Sequence, residues 1–155
     1  MKIGCPKEMK PGETRVALTP DWVSTLTVSG HKIIVQESAG LACGYDDSDY
    51  VKNGAVIAGS IEEVYNDAEF IVKVKEIQPE EYKLLKENQI VMAWFHLAED
   101  VDYDMTKALL DAKSIALGME LIVLPDGTRP TIKPMSEIAG SLAMLEAVKY
   151  AQYGY

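Results

Sequence analysis

The chain has 155 residues, 48% of them hydrophobic, a length and composition that predict one folded domain with a sizeable core. Its formal net charge of -9 and isoelectric point near 4.7 argue against nucleic acid or an anionic membrane as a partner. No apolar stretch has the length of a membrane span, and two cysteines, Cys5 and Cys43, predict free thiols in a reducing cytoplasm.

Strands and helices alternate along most of the chain. Apolar runs predict strands at 2–5, 31–36, 55–58, 69–75, 89–96 and 114–119. Amphipathic spacing and start signals predict helices from 20 to about 29, at 46–53, from 60, and at 80–86, 102–112 and 136–151. This alternation predicts an α/β fold, an open, mainly parallel sheet with helices on both faces and right-handed crossovers.

Capping residues mark where several of these helices begin. Thr19 is predicted to cap the first helix, with Pro20 at its first position. Ser60 and Glu63 have the spacing of a capping box, and Ser136 is predicted to cap the last helix. That last helix carries apolar residues on several sides, which predicts more than one packing partner.

Two neighbouring strands end in side chains that can carry charge. The strand at 69–75 ends in Lys75, and the strand at 89–96 ends in His96. A polar loop after the first strand ends near Arg15. Because the carboxyl ends of parallel strands form one edge of the sheet, where ligands of open α/β sheets bind, these three side chains are predicted to converge.

The three side chains suit a small 2-oxo acid. Arg15 can bind a carboxylate through two parallel hydrogen bonds, and Lys75 can polarise a carbonyl oxygen. His96 can act as an acid or a base. Simpler interpretations stay open: Arg15 solvated or paired to a neighbour such as Glu13, Lys75 extended into water, and His96 as hydrogen-bonded scaffold. Lys73, one step deeper in the strand, is either a second positive charge for the site or an ion-pair partner, and the second interpretation is favoured.

Several sequence segments carry a resemblance to a known family. Residues 4–8 (GCPKE) and 13–20 (ETRVALTP) are similar to the opening of alanine dehydrogenases and of the related transhydrogenase nucleotide-binding subunits. The likeness continues in order through 37–50, 72–82, 95–98 and 134–140. The chain therefore resembles the alanine dehydrogenase/pyridine nucleotide transhydrogenase family over nearly its whole length.

The resemblance implies an NAD-dependent oxidoreductase that interconverts L-alanine and pyruvate with ammonia. It implies Arg15 for the substrate carboxylate, Lys75 for the oxygen or carboxylate, and His96 for proton transfer. Met135 is expected beside the substrate and Ser136 beside the nicotinamide, with no metal site. A homo-oligomer, a hexamer in the family, is also implied.

The dinucleotide fingerprint Gly-x-Gly-x-x-Gly does not follow any strand of the sequence. The expectation is therefore an N-terminal portion of the substrate domain at 1–135 and an interdomain helix at 136–155, with the NAD-binding domain outside this chain. Alone, the chain is expected neither to hold NAD tightly nor to turn over. The alternatives are a non-catalytic binding or assembly module of the same fold, an opine- or saccharopine-type enzyme, or a transhydrogenase subunit.

Overall fold

A computed structural model describes residues 1–97 and 103–153 of the chain. Its contacts divide the chain into two compact units, Met1–Gly118 and Met119–Tyr155. The first unit contains the sheet and most of the helices, and the second contains the long C-terminal helix. Within residues 1–97 and 103–153, no helix combines the length and the hydropathy that a membrane span requires.

Six strands form one sheet in the first unit. They are β1 (Lys2–Cys5), β2 (Lys32–Gln36), β3 (Val56–Ala58), β4 (Phe70–Lys75), β5 (Ile90–Trp94) and β6 (Ile115–Gly118). Every pair is parallel, and the order across the sheet is β3-β2-β1-β4-β5-β6. The predicted α/β fold with a parallel sheet is confirmed.

The helices cover the sheet on both faces. They are α1 (Pro20–Val28), α2 (Asp47–Lys52), α3 (Ile61–Asp67) and α4 (Tyr103–Ala112), with 3₁₀ helices at Leu41–Cys43 and Pro79–Leu84. Right-handed crossovers that lead in opposite directions from β1 place their helices on opposite faces. Accordingly α1 contacts α2, while α3 and α4 contact the 3₁₀ helix Pro79–Leu84.

The core lies where α3 meets the central strands. Val64 and Tyr65 of α3 are fully buried, as is Ile71 of β4. A Cβ atom on Gly4 of β1 would lie 2.8 Å from the side chains of Ala68 and Val64. Glycine at this position therefore allows α3 to approach the sheet closely.

The predicted caps are confirmed only in part. Thr19 is the N-cap of α1 and Pro20 begins the helix, but the Thr19 side chain makes no capping hydrogen bond. The Ser60 hydroxyl accepts the backbone N–H of Glu63 at 3.2 Å, as predicted. In a capping box the Glu63 carboxylate would accept the N–H of Ser60. It accepts the N–H of Gly59 instead, at 2.8 Å, one residue earlier in the chain.

Two predicted elements in the middle of the chain differ in the structure. The segment predicted as a helix at 80–86 is the 3₁₀ helix Pro79–Leu84, the tighter type of helix that proteins use in short connecting segments. The strand predicted to reach His96 ends at Trp94, since His96 has φ +53°, which a strand cannot continue through. The predicted helix start at Asp102 lies outside the described residues.

The second unit contains a 3₁₀ turn, Met119–Leu121, and helix α5 (Lys133–Ala151). The prediction that Ser136 caps this helix is wrong: its N–H donates to the Ile132 carbonyl at 3.0 Å, inside the first turns. Pro134 explains the earlier start, since proline fits the first turn of a helix. The predicted spread of apolar positions is confirmed, and the large exposed side chains of α5 are Met135, Ile138, Leu142, Met144, Leu145, Val148 and Tyr150.

Candidate functional site

The sheet has one point at which the chain reverses its direction of winding. β2 pairs with one side of β1 and β4 pairs with the other, so the crevice at the carboxyl ends of β1 and β4 is the topological switch point. Open α/β sheets bind their ligands at such a crevice. Residues 6–19 leave β1 there, and Lys75 ends β4 there.

A bulge at the end of β4 alters the backbone that carries Lys75. The pairing of β4 with β5 shifts by one residue between Val72 and Lys75. The Glu8 carboxylate, from the loop after β1, accepts the N–H of Val74 at 2.6 Å and the N–H of Lys75 at 3.3 Å. One side chain thus joins the loop to the end of β4 and satisfies two backbone donors.

Below this junction lies a buried charge network. Lys73 donates to Glu81, both side chains being fully buried, and its Nζ lies 4.0 Å from Glu8. Glu81 also accepts the Tyr65 hydroxyl at 2.9 Å and the Gln78 N–H at 2.7 Å. Burial raises the pKa of Glu8, which the Lys73 charge partly offsets. The predicted ion-pair role of Lys73 is confirmed.

Arg15 is paired with Glu13. The Glu13 carboxylate accepts Nε of Arg15 at 2.9 Å, Nη2 at 2.7 Å and the backbone N–H at 2.8 Å. The hydrogen bond from the Arg15 side chain lowers the pKa of Glu13 to about 2, and the Lys75 charge acts in the same direction. Glu13 occupies the Nε–Nη2 side of the guanidinium, so another carboxylate would have to use Nη1 or displace it.

A cavity of about 230 Å³ adjoins this pair. Arg15, Glu13, Glu8 and Lys7 line one side, and residues of the loop after β2 line the other. Its size suits a molecule smaller than the ligands of most protein pockets. Lys75 and His96 are not among its lining residues. The ends of β4 and β5 lie at the same edge of the sheet as the loop after β1, and the convergence of the three side chains on one ligand stays a prediction.

His96 follows β5 at the same edge of the sheet. Its ring stacks on Trp94 with 6.0 Å between ring centroids, and Trp94 pairs with Lys75 in the ladder between β4 and β5. Trp94 is therefore the common neighbour of Lys75 and His96. The positive φ of His96 is a conformation that histidine adopts more readily than most residues.

The remaining predicted site residues belong to the second unit. Met135 and Ser136 lie in the first turns of α5, and the Met135 side chain is exposed. Their contact with substrate or nicotinamide stays a prediction.

The switch point of the first unit does not fit a dinucleotide. The turn after β1 begins with Pro6 instead of glycines, and α1 begins only at Pro20. No helix N-terminus therefore follows the strand directly, and the Glu8 and Glu13 carboxylates would repel a pyrophosphate. Among residues 1–97 and 103–153, no group of three His, Cys, Asp or Glu side chains is arranged to hold a metal ion.

Sequence reasoning missed two carboxylates of this site, Glu8 and Glu81. A signal for them exists, because Lys73 lies within an apolar strand and a fully buried lysine requires a partner. The sequence alone does not tell which of the 24 acidic residues supplies that partner.

The fold and site define a class: a doubly wound α/β domain with cationic side chains at its switch point and no dinucleotide fingerprint there. The sequence matches the family described as "Alanine dehydrogenase/PNT, N-terminal domain" over residues 4–139. The chain belongs to this family.

Individual relatives agree with this assignment. The chain is 41% identical over 152 residues to an alanine dehydrogenase of Methanococcus maripaludis and 40% identical over 152 residues to one of Staphylococcus epidermidis. Both matches cover 98% of this chain and 40% of the relative, so the chain spans well under half the length of these proteins.

Solved structures give the same result. An L-alanine dehydrogenase superposes with a TM-score of 0.86 at 39% identity, covering 92% of this chain and 38% of that one. A transhydrogenase from Sinorhizobium meliloti superposes with a TM-score of 0.72 at 26% identity, covering 79% of this chain and 36% of that one.

Proposed function

We propose that the chain is the N-terminal, substrate-binding part of an NAD-dependent alanine dehydrogenase, which interconverts L-alanine and pyruvate with NAD and ammonia. Its likeness to alanine dehydrogenases along 98% of its length supports the proposal. The observation that carries it is geometric. Glu8 lines the same cavity as Arg15 and accepts the backbone N–H of Lys75 at 3.3 Å, so the two cations belong to one crevice.

Each of the three side chains has a task in this proposal. Arg15 binds the substrate carboxylate through the side of its guanidinium that Glu13 leaves unused. Lys75 donates to the keto oxygen or the carboxylate and draws electron density from the carbonyl carbon. His96 gives a proton to the substrate oxygen or takes one from it, depending on the direction of the reaction.

The rest of the assignment follows from the same proposal. Residues 1–135 form the N-terminal portion of the substrate domain and 136–155 the interdomain helix, with Met135 against the substrate and Ser136 against the nicotinamide. NAD is held mostly by residues outside this chain, in keeping with the poor fit at the β1 turn. The complete protein is a cytoplasmic homo-oligomer, and the exposed apolar side chains of α5 support association.

One observation favours a second function, a non-catalytic binding module of the same fold. Glu13 already occupies the Nε–Nη2 side of Arg15, so one of the two-point contacts that a ligand carboxylate could make is taken. The likeness to a transhydrogenase, at 26% identity, supports a different alternative, a transhydrogenase subunit of the same fold.

Pyruvate titration by isothermal calorimetry tests the proposal. The wild-type chain is expected to bind pyruvate, and Arg15→Ala and Lys75→Ala are each expected to weaken binding at least tenfold, a loss of about 1.4 kcal/mol. Lys113→Ala is the matched control. Lys113 is exposed and precedes β6, which places it at the opposite edge of the sheet.

The outcomes separate the two functions. Binding that both site variants abolish and the control retains supports the dehydrogenase assignment. No binding by the wild-type chain, or equal binding by all four proteins, overturns it and favours the module. Steady NADH oxidation with pyruvate and ammonia by the chain alone would show instead that the cofactor site is not outside it.

A further inference from the structure

The backbone that carries Lys75 is held by another side chain. The bulge leaves Val74 outside the regular pairing with β5, which resumes with Lys75 opposite Trp94. The N–H groups of Val74 and Lys75 donate to the two oxygens of Glu8, one to each. A single carboxylate therefore fixes the peptide from which the Lys75 side chain projects.

Buried charged side chains in turn fix the position of Glu8. Its side chain is 2% exposed, and the fully buried Lys73 ammonium lies 4.0 Å from Oε2. Lys73 forms an ion pair with Glu81 of the 3₁₀ helix Pro79–Leu84, and Glu81 also accepts a hydrogen bond from the Tyr65 hydroxyl. Because each partner is buried and bonded, Glu8 has little freedom to move away from the bulge.

We propose that Glu8 is a positioning residue that sets the direction of Lys75 by holding the β4 bulge. This inference rests on the proposed function, in which Lys75 binds the 2-oxo acid. Glu8 also lines the cavity beside Arg15, but this proposal gives it no bond to the substrate. It acts on affinity through the Lys75 backbone.

The geometry requires a glutamate at this position. A glutamine offers one acceptor oxygen, and its NH₂ would face one of the two N–H donors. An aspartate keeps the charge that faces Lys73, but it is one methylene shorter, about 1.5 Å, and cannot reach both donors. Both substitutions are therefore expected to loosen the bulge.

Glu76 provides a matched control for Glu8. It follows Lys75 directly and pairs with Lys10 of the same loop, so it is a second acidic link between the loop and the end of β4. Unlike Glu8, it makes none of the hydrogen bonds to the N–H groups of Val74 and Lys75. E76Q therefore changes the same chemical group beside Lys75 without releasing the bulge.

Two measurements on the intact chain test the inference. The first is amide hydrogen exchange of Val74 and Lys75 by NMR, which we expect to accelerate at least tenfold in E8Q and E8D and to stay near wild type in E76Q. The second is the pyruvate Kd, which we expect to rise at least tenfold in E8Q and E8D but not in E76Q.

A purely structural role for Glu8 is tested with V23A, which creates a cavity at a fully buried position on α1. V23A is expected to bind pyruvate with the wild-type Kd. If E8Q or E8D is destabilised to the same extent but has a raised Kd, the result supports a positioning role for Glu8. If E8Q does not fold, E8D provides the test. The inference is overturned if a folded Glu8 variant shows both the wild-type pyruvate Kd and wild-type amide exchange rates at Val74 and Lys75.

The test also separates this inference from the proposed function. If the wild-type chain binds no pyruvate, the proposed function fails, and the exchange rates of Val74 and Lys75 still decide whether Glu8 holds the bulge. If pyruvate binds and Lys75→Ala abolishes binding, but the Glu8 variants bind normally, this inference alone fails.

Discussion

The buried ion pair between Lys73 and Glu81 gives a sharp prediction for Lys73→Met. Methionine matches the lysine stem in length and keeps its apolar contacts but removes the charge. Glu81 would keep the Tyr65 hydroxyl and the Gln78 N–H as donors, and Glu8 would keep its two backbone donors. Both carboxylates would then stay buried without their shared cation.

We expect Lys73→Met to lower the free energy of unfolding by about 3–5 kcal/mol at pH 7, the usual cost of removing one partner of a buried pair. A folded domain has about 5–15 kcal/mol in total, so the loss is a large fraction. With a urea m-value of about 2 kcal/mol/M, the midpoint falls by about 1.5–2.5 M. The double variant K73M/E81Q should lose less than the two single variants added together.

The loss should also depend on pH in a defined direction. Burial already raises the pKa of Glu8, and removal of the Lys73 charge raises it further. A carboxyl whose folded pKa is raised stabilises the fold below its unfolded pKa and loses that contribution as pH rises through the folded value. The difference between wild type and Lys73→Met should therefore shrink when the pH is lowered from 7 towards 5.

Urea unfolding followed by far-ultraviolet circular dichroism measures these differences, at two protein concentrations to separate any association of α5. Lys52→Met is the control, because Lys52 is 70% exposed and its ion pair with Asp49 is worth little. A Lys73→Met variant within about 1 kcal/mol of wild type at pH 7 would refute the reasoning.

Three further predictions concern other parts of the chain. Burial raises the pKa of the Cys5 thiol to about 12, whereas Cys43 is exposed. A thiol reagent should therefore modify one thiol per native chain and two after unfolding, and modification of native C43S would contradict this. The lowered pKa of Glu13 stabilises the fold above pH 4.5, and this contribution is lost as the pH falls towards 2. Because Arg15 is half exposed, the free energy of unfolding of the wild type should fall, relative to that of E13Q, by at most about 1 kcal/mol over this range. Leu145→Glu on α5 should shift the chain towards monomer in sedimentation velocity if its apolar surface drives association, and an unchanged distribution would count against that.

The strand pattern could be predicted from the sequence because parallel strands buried on both faces are continuous apolar runs. β4 is an example: its core residues Ile71 and Val72 are buried, and the prediction at 69–75 matches Phe70–Lys75 closely. The alternation of strands and helices was enough to predict which residues lie at the carboxyl edge of the sheet. That prediction correctly placed the loop after β1 and the ends of β4 and β5 at the same edge.

The details of the site could not be predicted in the same way. The left-handed backbone at His96 and the bulge before Lys75 depend on tertiary contacts that leave no periodic signal. The pairing of Arg15 with Glu13 was one of three open interpretations, because sequence proximity permits a hydrogen bond without requiring it. Ser136 was assigned as a cap from residue type, whereas Pro134 fixes where α5 begins.

The sheet order has a consequence for how the chain acquires its fold. β1 is made first, but its residues pair with residues about thirty positions later in β2 and nearly seventy positions later in β4. Pairings of such long sequence separation close slowly, because the intervening loop entropy is lost before the contacts form. During synthesis the first strand therefore stays half-paired until β4 leaves the ribosome, and the crevice between them cannot exist before that moment.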